Sequence, residues 1–457
     1  MSQTAVIARV PFAPAARLEP LPQPARVEAP VRADRFERAP AVAKVRAEAP
    51  MSDRQRAFIA FGPAFEDALD QATGTEVQRG NAIEPLFDGV TSFAARKQLI
   101  ESAKHTIHLQ TFIFDDDATG KETAALLCAA ARRGVKVRVI YDALGSNRAA
   151  NALFDMMRAA GVEVRGYGKI LQEPWTANHR WHEKLLIVDS TQAITGGMNL
   201  ANEYAYGGSR RLVRSRSAHP ELPWRDVDVL VSGPVLRAFE VDFEGNWGQL
   251  GPGYVESAFA DLMTRVPSAR PTGSDVRFVQ NDPGAGENRI EDTLWYAITS
   301  AQKTITIETA YFVPTPAMRE ALLDARARGV QVRILTNSPK SNDLPLSQPI
   351  ARSFYKDLLS AGVEIHEKRG GTLHSKSFSF DGIYSIIGSA NLNHRSLTRD
   401  TESMLCMKNA AMAQLMEVRF LSGLREADRI RQEDLDAQSF SDKAKQWFAS
   451  TFLATFF

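Results

Sequence analysis

The sequence predicts an α/β fold made of two tandem copies of one unit, each a sandwich of helices around a largely parallel or mixed sheet. Three observations carry this reading. One motif of fixed spacing occurs twice, 192 residues apart. The first copy is His182-Glu183-Lys184, four residues, Asp189, six residues, then Gly196-Gly197-Met198-Asn199. The second is His374-Ser375-Lys376, four residues, Asp381, six residues, then Gly388-Ser389-Ala390-Asn391. The flanks repeat too: residues 102–109 read like 300–307, 133–139 like 328–334, and 160–164 like 361–365. In both halves helical stretches alternate with short β-branched runs, the pattern of an α/β sandwich.

Taken in order, residues 1–50 hold eight of the 23 prolines and no glycine. That composition predicts an extended, mostly disordered arm, taken to residue 75. The first domain is expected over 76–258 and the second over 259–435, with Pro267, Pro271 and Gly273 marking the divider and residues 284–289 opening the second repeat. Each half reads helix, strand three times, followed by a catalytic strand pair. Gly134, Gly161, Gly329 and Gly362 precede the Val-rich runs as helix C-caps. In the motif itself, His-x-Lys alternation places both side chains on one strand face. Residues 185–188 and 377–380 continue as strand, and Gly196-Gly197 and Gly388-Ser389 permit close backbone approach. Residues 436–457 are an aromatic tail. Behind Lys443 and Lys445 it suits an interfacial membrane anchor, and a helix folded back on the core is the alternative.

Two histidines, two lysines and two asparagines in matching order suit a phosphodiester held between two halves. Lysine ammonium groups and amide N–H donors screen the anion and hold charge developing in the transition state. One neutral imidazole can attack phosphorus, giving a phosphohistidine. A second, protonated imidazole can deliver a proton to the leaving alkoxide. His179 and His182 could be suspected as metal ligands, but the ordered lysines would repel a cation, so no metal and no other cofactor is expected.

The paired HxKx4Dx6G(G/S)xN motifs resemble those of the phospholipase D superfamily over roughly residues 80–430. The flanks 196–204, Trp224-Arg225-Asp226, 310–314, 372–376 and 391–396 are similar to the bacterial cardiolipin synthases. The resemblance implies two phospholipase D-like α/β/α sandwich repeats related by a pseudo-twofold axis, with one metal-free active site at their interface. It implies His182 as nucleophile and His374 as general acid and later base. Lys184, Lys376, Asn199 and Asn391 would hold phosphate oxygens, and Asp226 and Glu402 would orient the imidazoles. Asp189 and Asp381 complete the catalytic motifs, with the expectation that they tie strand to loop rather than touch substrate. Asn393 stands where many synthases have aspartate, which leaves acceptor preference open.

Lys plus Arg number 55 against 54 Asp plus Glu, so no global basic field points to nucleic acid as a partner. Two cysteines, Cys128 and Cys406, suggest no disulfide framework. With no 18-residue apolar run and no signal peptide, the expected location is the cytoplasmic face of the cell membrane, held peripherally. Arg210, Arg211, Arg214 and Arg216 could meet lipid phosphates or form a solvated insert. Tyr204, Tyr206 and Trp224 could shape a lipid channel or pack in the core. The functions this supports are phosphatidyl transfer between phospholipids (phosphatidylglycerol, with phosphatidylethanolamine as a possible donor), hydrolysis to phosphatidic acid, and, less well, a nuclease or a non-catalytic membrane adaptor.

Overall fold

A computed structural model describes residues 59–149, 151–168, 178–206, 222–254, 256–281, 287–344 and 347–452. The proline-rich arm to residue 58, the arginines at 210, 211, 214 and 216, residues 284–286 and the last five residues lie outside the described residues.

The first half supplies seven strands: β1 (Gln78–Leu86), β2 (Thr106–Thr111), β3 (Lys136–Asp142), β4 (Glu163–Tyr167), β5 (Leu185–Val188), β6 (Gln192–Gly196) and β7 (Asp228–Ser232). The second supplies β8 (Ser274–Asn281), β9 (Thr304–Thr309), β10 (Gln331–Asn337), β11 (Glu364–Lys368), β12 (Lys376–Phe380), β13 (Tyr384–Gly388), β14 (Glu402–Lys408) and β15 (Ala427–Ile430). They form one open sheet in the order β15-β11-β10-β9-β12-β13-β14-β8-β1-β7-β6-β5-β2-β3-β4. Outward from the central β8–β1 pair, β14 matches β7, β13 matches β6, β12 matches β5, and β9, β10 and β11 match β2, β3 and β4. The sequence repeat is therefore a structural repeat, with β15 appended to one edge. The sheet is mixed: β2–β3–β4 and β9–β10–β11 run parallel, and the motif hairpins β5–β6 and β12–β13 are antiparallel.

Local chemistry explains the elements. Gly134, Gly161, Gly329 and Gly362 have φ between +86° and +93°, the left-handed turn that lets a helix stop and a buried strand begin. Helices start on side-chain caps: Asp88, Asp117, Thr315 and Asn409 each accept from a first-turn amide. Each half has its own apolar core, around Ile107, Leu127 and Val139 in the first and Ile305, Leu322 and Ile334 in the second. A third core is shared, joining Phe239, Phe243 and Trp247 to Phe278, Met412 and Met416.

Three expectations are corrected here. Residues Pro63–Thr73, assigned to the disordered arm, form a helix with proline in its first turn and Gly74 as its left-handed cap. Its Phe65 and Leu69, with Phe61 just before it, are buried in the second half's core, and Glu66 and Asp70 clasp the buried Arg277 of β8 at 2.9 and 2.5 Å. Proline-rich composition upstream masked this short amphipathic segment. The second repeat opens with β8 at Ser274, ahead of residue 284, because β8 pairs with β1 and joins the two halves. The strands β1, β7, β8 and β14 were all absent from the predicted order. In the tail, the helix Phe440–Phe452 packs on the helix Ser347–Ser353, burying Ala449 against Val313 and Ile350, while Trp447 and Phe448 stay more than half exposed.

Candidate active site

Each motif is a strand, a turn and a returning strand. The turn residues Asp189 and Asp381 have φ of +53° and +54°, a conformation a short polar side chain tolerates. Asp189 accepts from the amides of Lys104, His105 and Thr106, and Asp381 from those of Gln302, Lys303 and Thr304, at 2.7–2.9 Å. Both carboxylates staple the motif hairpin to β2 or β9, at the strand end away from the histidines. In this placement the two carboxylates tie strand to turn. Glycine is required at 197, where a Cβ would lie 2.1 Å from Asp226 Oδ1, and at 388, where it would lie 2.2 Å from the Ser403 carbonyl oxygen.

The two histidines are completed crosswise. His182 Nδ1 meets Glu402 of the second half at 2.9 Å, and His374 Nδ1 meets Asp226 of the first half at 2.7 Å. Parallel bridges beside each pair hold the register, Trp181 with Thr401 and Arg225 with Leu373. The His182 amide donates to the Thr401 carbonyl and the His374 amide to the Arg225 carbonyl, both at 2.8 Å. Neither half has a finished dyad alone. With Nδ1 committed to a carboxylate, Nε2 is the ring nitrogen that a substrate phosphorus or alcohol would meet, and at His374 the Lys376 Nζ stands 3.1 Å from it.

The lysines sit beside the imidazoles. Lys184 Nζ donates to the His182 carbonyl oxygen; Lys376 Nζ donates to the His374 carbonyl oxygen and stands 2.8 Å from Nδ1 of its ring. Burial depresses both ammonium groups, Lys184 to about 7 and Lys376 to about 8, against the pull of Glu402 and Asp226. Burial also brings His182 down to about 4, against the opposing charge of Glu402, so its imidazole is neutral. Burial works to raise Glu402, but His182 and Lys184 outweigh it and the carboxyl falls to about 2. Burial pushes the Asp226 carboxyl upward.

The asparagines differ. Asn199 is tied at both ends, accepting from the Ile113 amide at 3.0 Å and donating to the Tyr204 hydroxyl at 2.9 Å, which leaves one N–H for a ligand. Buried Asn391 Oδ1 has no hydrogen-bond partner among the described residues. Both line a cavity of about 500 Å³ with His182 and His374. Tyr204 and Trp224 are core aromatics whose rings pack on His374 at 5.0 and 5.3 Å, while Tyr206 is exposed. His179 is turned away, its Nδ1 3.1 Å from the Arg399 carbonyl oxygen.

Sequence reasoning missed several residues. Asp142 ends β3, pairs with Arg180, and accepts from the Trp181 amide at 3.2 Å; Asn337 ends β10 and clasps Leu373 at 2.7 and 2.8 Å. Each thus holds the residue just before a motif histidine. Their alignment in the repeat, Asp142 after 136–141 and Asn337 after 331–336, was the available signal. Phe112, Arg148, Tyr311, Asp343 and Asp400 also line the cavity. Burial and the nearby Glu402 charge push Asp400 up to about 7 against its Arg395 partner.

A family profile described as "Cardiolipin synthase, PLD-like domain" matches residues 97–207 and 294–423, together more than half of the chain. The chain belongs to this family, within the phospholipase D superfamily. It is 28% identical over 407 residues to the probable cardiolipin synthase YwiE of Bacillus subtilis, covering 88% of this chain and 76% of that protein. It is 30% identical over 376 residues to a cardiolipin synthase of Clostridium perfringens, covering 80% of this chain and 75% of the relative. Among solved structures, a phosphatidylserine synthase of Haemophilus influenzae superposes with a TM-score of 0.63 at 15% identity, over 86% of this chain and all of that one, a likeness of fold.

Proposed function

We propose that this chain is a phosphatidyltransferase of the cardiolipin synthase kind, working through a phosphohistidine without a metal ion. The observation that carries the reading is the crosswise pair of dyads opening on one cavity. His182 Nε2 attacks the phosphorus of a phospholipid head-group diester while the bond to the head-group oxygen breaks. The electron pair leaves on that oxygen, which takes a proton from His374, and the phosphatidyl group remains on His182. The hydroxyl of phosphatidylglycerol then attacks the same phosphorus, His374 takes its proton, and the phosphorus–nitrogen bond breaks. Lys184, Lys376 and one N–H each of Asn199 and Asn391 hold the non-bridging oxygens. A phosphate dianion or diester in the site restores charge to the two depressed lysines, so binding and protonation reinforce each other.

The lipid surface is met peripherally in this reading. No helix among the described residues is long and apolar enough to cross a membrane. The helix Phe440–Phe452 carries Lys443, Lys445 and the exposed Trp447 and Phe448, a composition suited to head-group depth. Replacing both aromatics with alanine is expected to lower co-sedimentation with anionic vesicles; unchanged binding removes this helix as the contact.

The deciding experiment incubates the protein with phosphatidylglycerol and phosphatidylethanolamine vesicles, chelator present, beside His182→Asn. Cardiolipin formed only with His182 intact is the expected result, and the released alcohol names the donor. Phosphatidic acid without cardiolipin makes the chain a hydrolase, and no lipid turnover removes the reading.

A further inference from the structure

Each motif histidine takes its carboxylate from the other half, but the two carboxylates are anchored differently. Glu402 opens β14, and its backbone is registered against Asn281 of β8. Asp226 lies two residues ahead of β7, outside the strand. A side chain carried by a sheet strand inherits the rigidity of the sheet, and one on the connection before it needs another tether. Arg419 supplies that tether. It sits on the helix Ala410–Leu424 with its side chain 5% exposed. Its Nη2 donates to the Asp226 carbonyl oxygen at 2.8 Å and to the Ser375 hydroxyl at 3.0 Å. Asp226 is the partner of His374, and Ser375 is the residue after His374. One nitrogen therefore holds both members of the dyad. Nη1 is fixed in turn by Glu308 of β9, the strand that pairs with β12. The other dyad has no such clasp among the described residues. There the residue after His182 is Glu183, bound by Gln110 and Asn246, and neither of these hydrogen-bonds the Glu402 backbone.

A carboxylate that orients an imidazolium has to be both fixed and ionised. Burial pushes the Asp226 carboxyl upward, and Lys376, the Val227 amide and Arg419 oppose it. Without the guanidinium, Asp226 loses its tether and part of what keeps it charged, and His374 loses the partner that favours its protonated ring. Within the phosphatidyl-transfer reading, on which this inference rests, His374 is the ring that protonates the leaving alkoxide. We propose that Arg419 is a positioning residue for this proton transfer, clasping Asp226 to Ser375 so that His374 presents its proton to the leaving oxygen. Arg419 is absent from the cavity lining, so it acts through the dyad and touches no substrate. The sheet does for Glu402 what this one side chain does for Asp226.

The test compares two donors in mixed micelles: phosphatidylglycerol, whose alkoxide needs a proton, and phosphatidyl-p-nitrophenol, whose phenolate does not. Release of each alcohol is measured as kcat/KM in the full chain, in His374→Asn and in Arg419→Lys. His374→Asn is the reference, expected to lower the ratio of the glycerol to the nitrophenol value by about 10²-fold or more. Arg419→Lys keeps the charge and loses the fork, and should lower the same ratio by about fivefold or more. A merely structural role lowers both donors together. A fall of less than about fivefold beside a selective His374→Asn therefore overturns the positioning role and leaves the transferase reading standing. If Arg419→Lys releases neither alcohol, Ser375→Ala decides by the same ratio. It removes one of the two groups that Nη2 holds, and a fall of about twofold or more is expected, a smaller one overturning the role. An unselective His374→Asn, or an unaltered chain that turns over neither lipid, overturns the underlying reading and the positioning role with it.

Discussion

Beneath His182 the catalytic strand rests on amides and a carboxyl: Glu183 accepts from Gln110 at 2.6 Å and from Asn246 at 3.0 Å. Beneath His374 the matching strand rests on charge. Ser375 there accepts from Arg419, and Glu308 pairs with both Arg419 and Arg225. Burial and the nearby Glu402 charge lift Glu183 to about 7, against the hydrogen bonds from Gln110 and Asn246. For Glu308 burial acts upward as well, but the two guanidinium groups win and take it down to about 2. The layer that carries the motif histidines and lysines is duplicated, and the layer under it is not. Phosphodiester chemistry constrains the first layer in both copies; the second has only to be satisfied, and two different solutions satisfy it.

The comparison breaks most completely at the histidines. His182→Asn and His374→Asn are each expected to lower transfer by about 10³-fold or more, since nucleophile and proton donor act as one unit. They separate with a donor whose leaving group needs no proton. His374→Asn then still accumulates a phosphorylated chain, His182→Asn does not, and a label mapped to His374 in the unaltered chain would exchange the two roles.

Next come the supporting carboxyls. Glu308→Gln strips the counter-charge from two buried arginines and is expected to cost about 3–5 kcal/mol in urea unfolding. Glu183→Gln is expected to cost under about 1 kcal/mol at pH 4, where the carboxyl is mostly protonated in both the native and the unfolded chain. The pH dependences have opposite signs. The depressed Glu308 contributes stability that is present above the unfolded carboxyl range and is lost as pH falls from about 4.5 toward 2. The raised Glu183 binds its proton more tightly in the native state, so its contribution declines as pH rises from about 4.5 through about 7. Relative to the unaltered chain, Glu183→Gln should therefore gain on the order of 2–3 kcal/mol across that window. A flat difference would show Glu183 ionised throughout.

Activity gives a finer probe. For the free protein, kcat/KM should rise with pH through about 4 as His182 becomes neutral, and fall through about 7 to 8 as Lys184 and then Lys376 lose their charge. Lys184→Arg keeps the charge at all these pH values, and the surviving descending limb should move toward 8. The smallest effect is expected at Asn393. Its side chain caps the helix His394–Thr398 by accepting from the Ser396 amide at 2.9 Å, and aspartate caps as well as asparagine. Asn393→Asp should change stability by under about 0.5 kcal/mol, so any shift in acceptor preference would be read free of a folding effect.

Much of this was legible in the chain. The motif hairpins, the turn-binding role of Asp189 and Asp381 and the four glycine caps depend on contacts made within a strand and its immediate neighbours, and spacing reports such contacts. The helix Pro63–Thr73 was not legible, because its burial depends on a core more than 200 residues downstream. The last helix could be read from the chain either as an anchor or as a helix folded back on the core, and its docking turns on Ala449, the buried side chain it has among the described residues.

By itself the sequence determined the duplication, the family and the identity of the two imidazoles, two lysines and two carboxylates. Local order and fixed spacing are enough to specify those. Only the tertiary structure decided the pairing. His182 takes its carboxylate from 220 residues away and His374 from 148 residues away, each across the interface. Each contact exists because β8 and β1 zip the two half-sheets into one, bringing the end of one half's motif beside the other's. Which of two equivalent carboxylates meets which histidine is a property of that junction, and no local pattern encodes it.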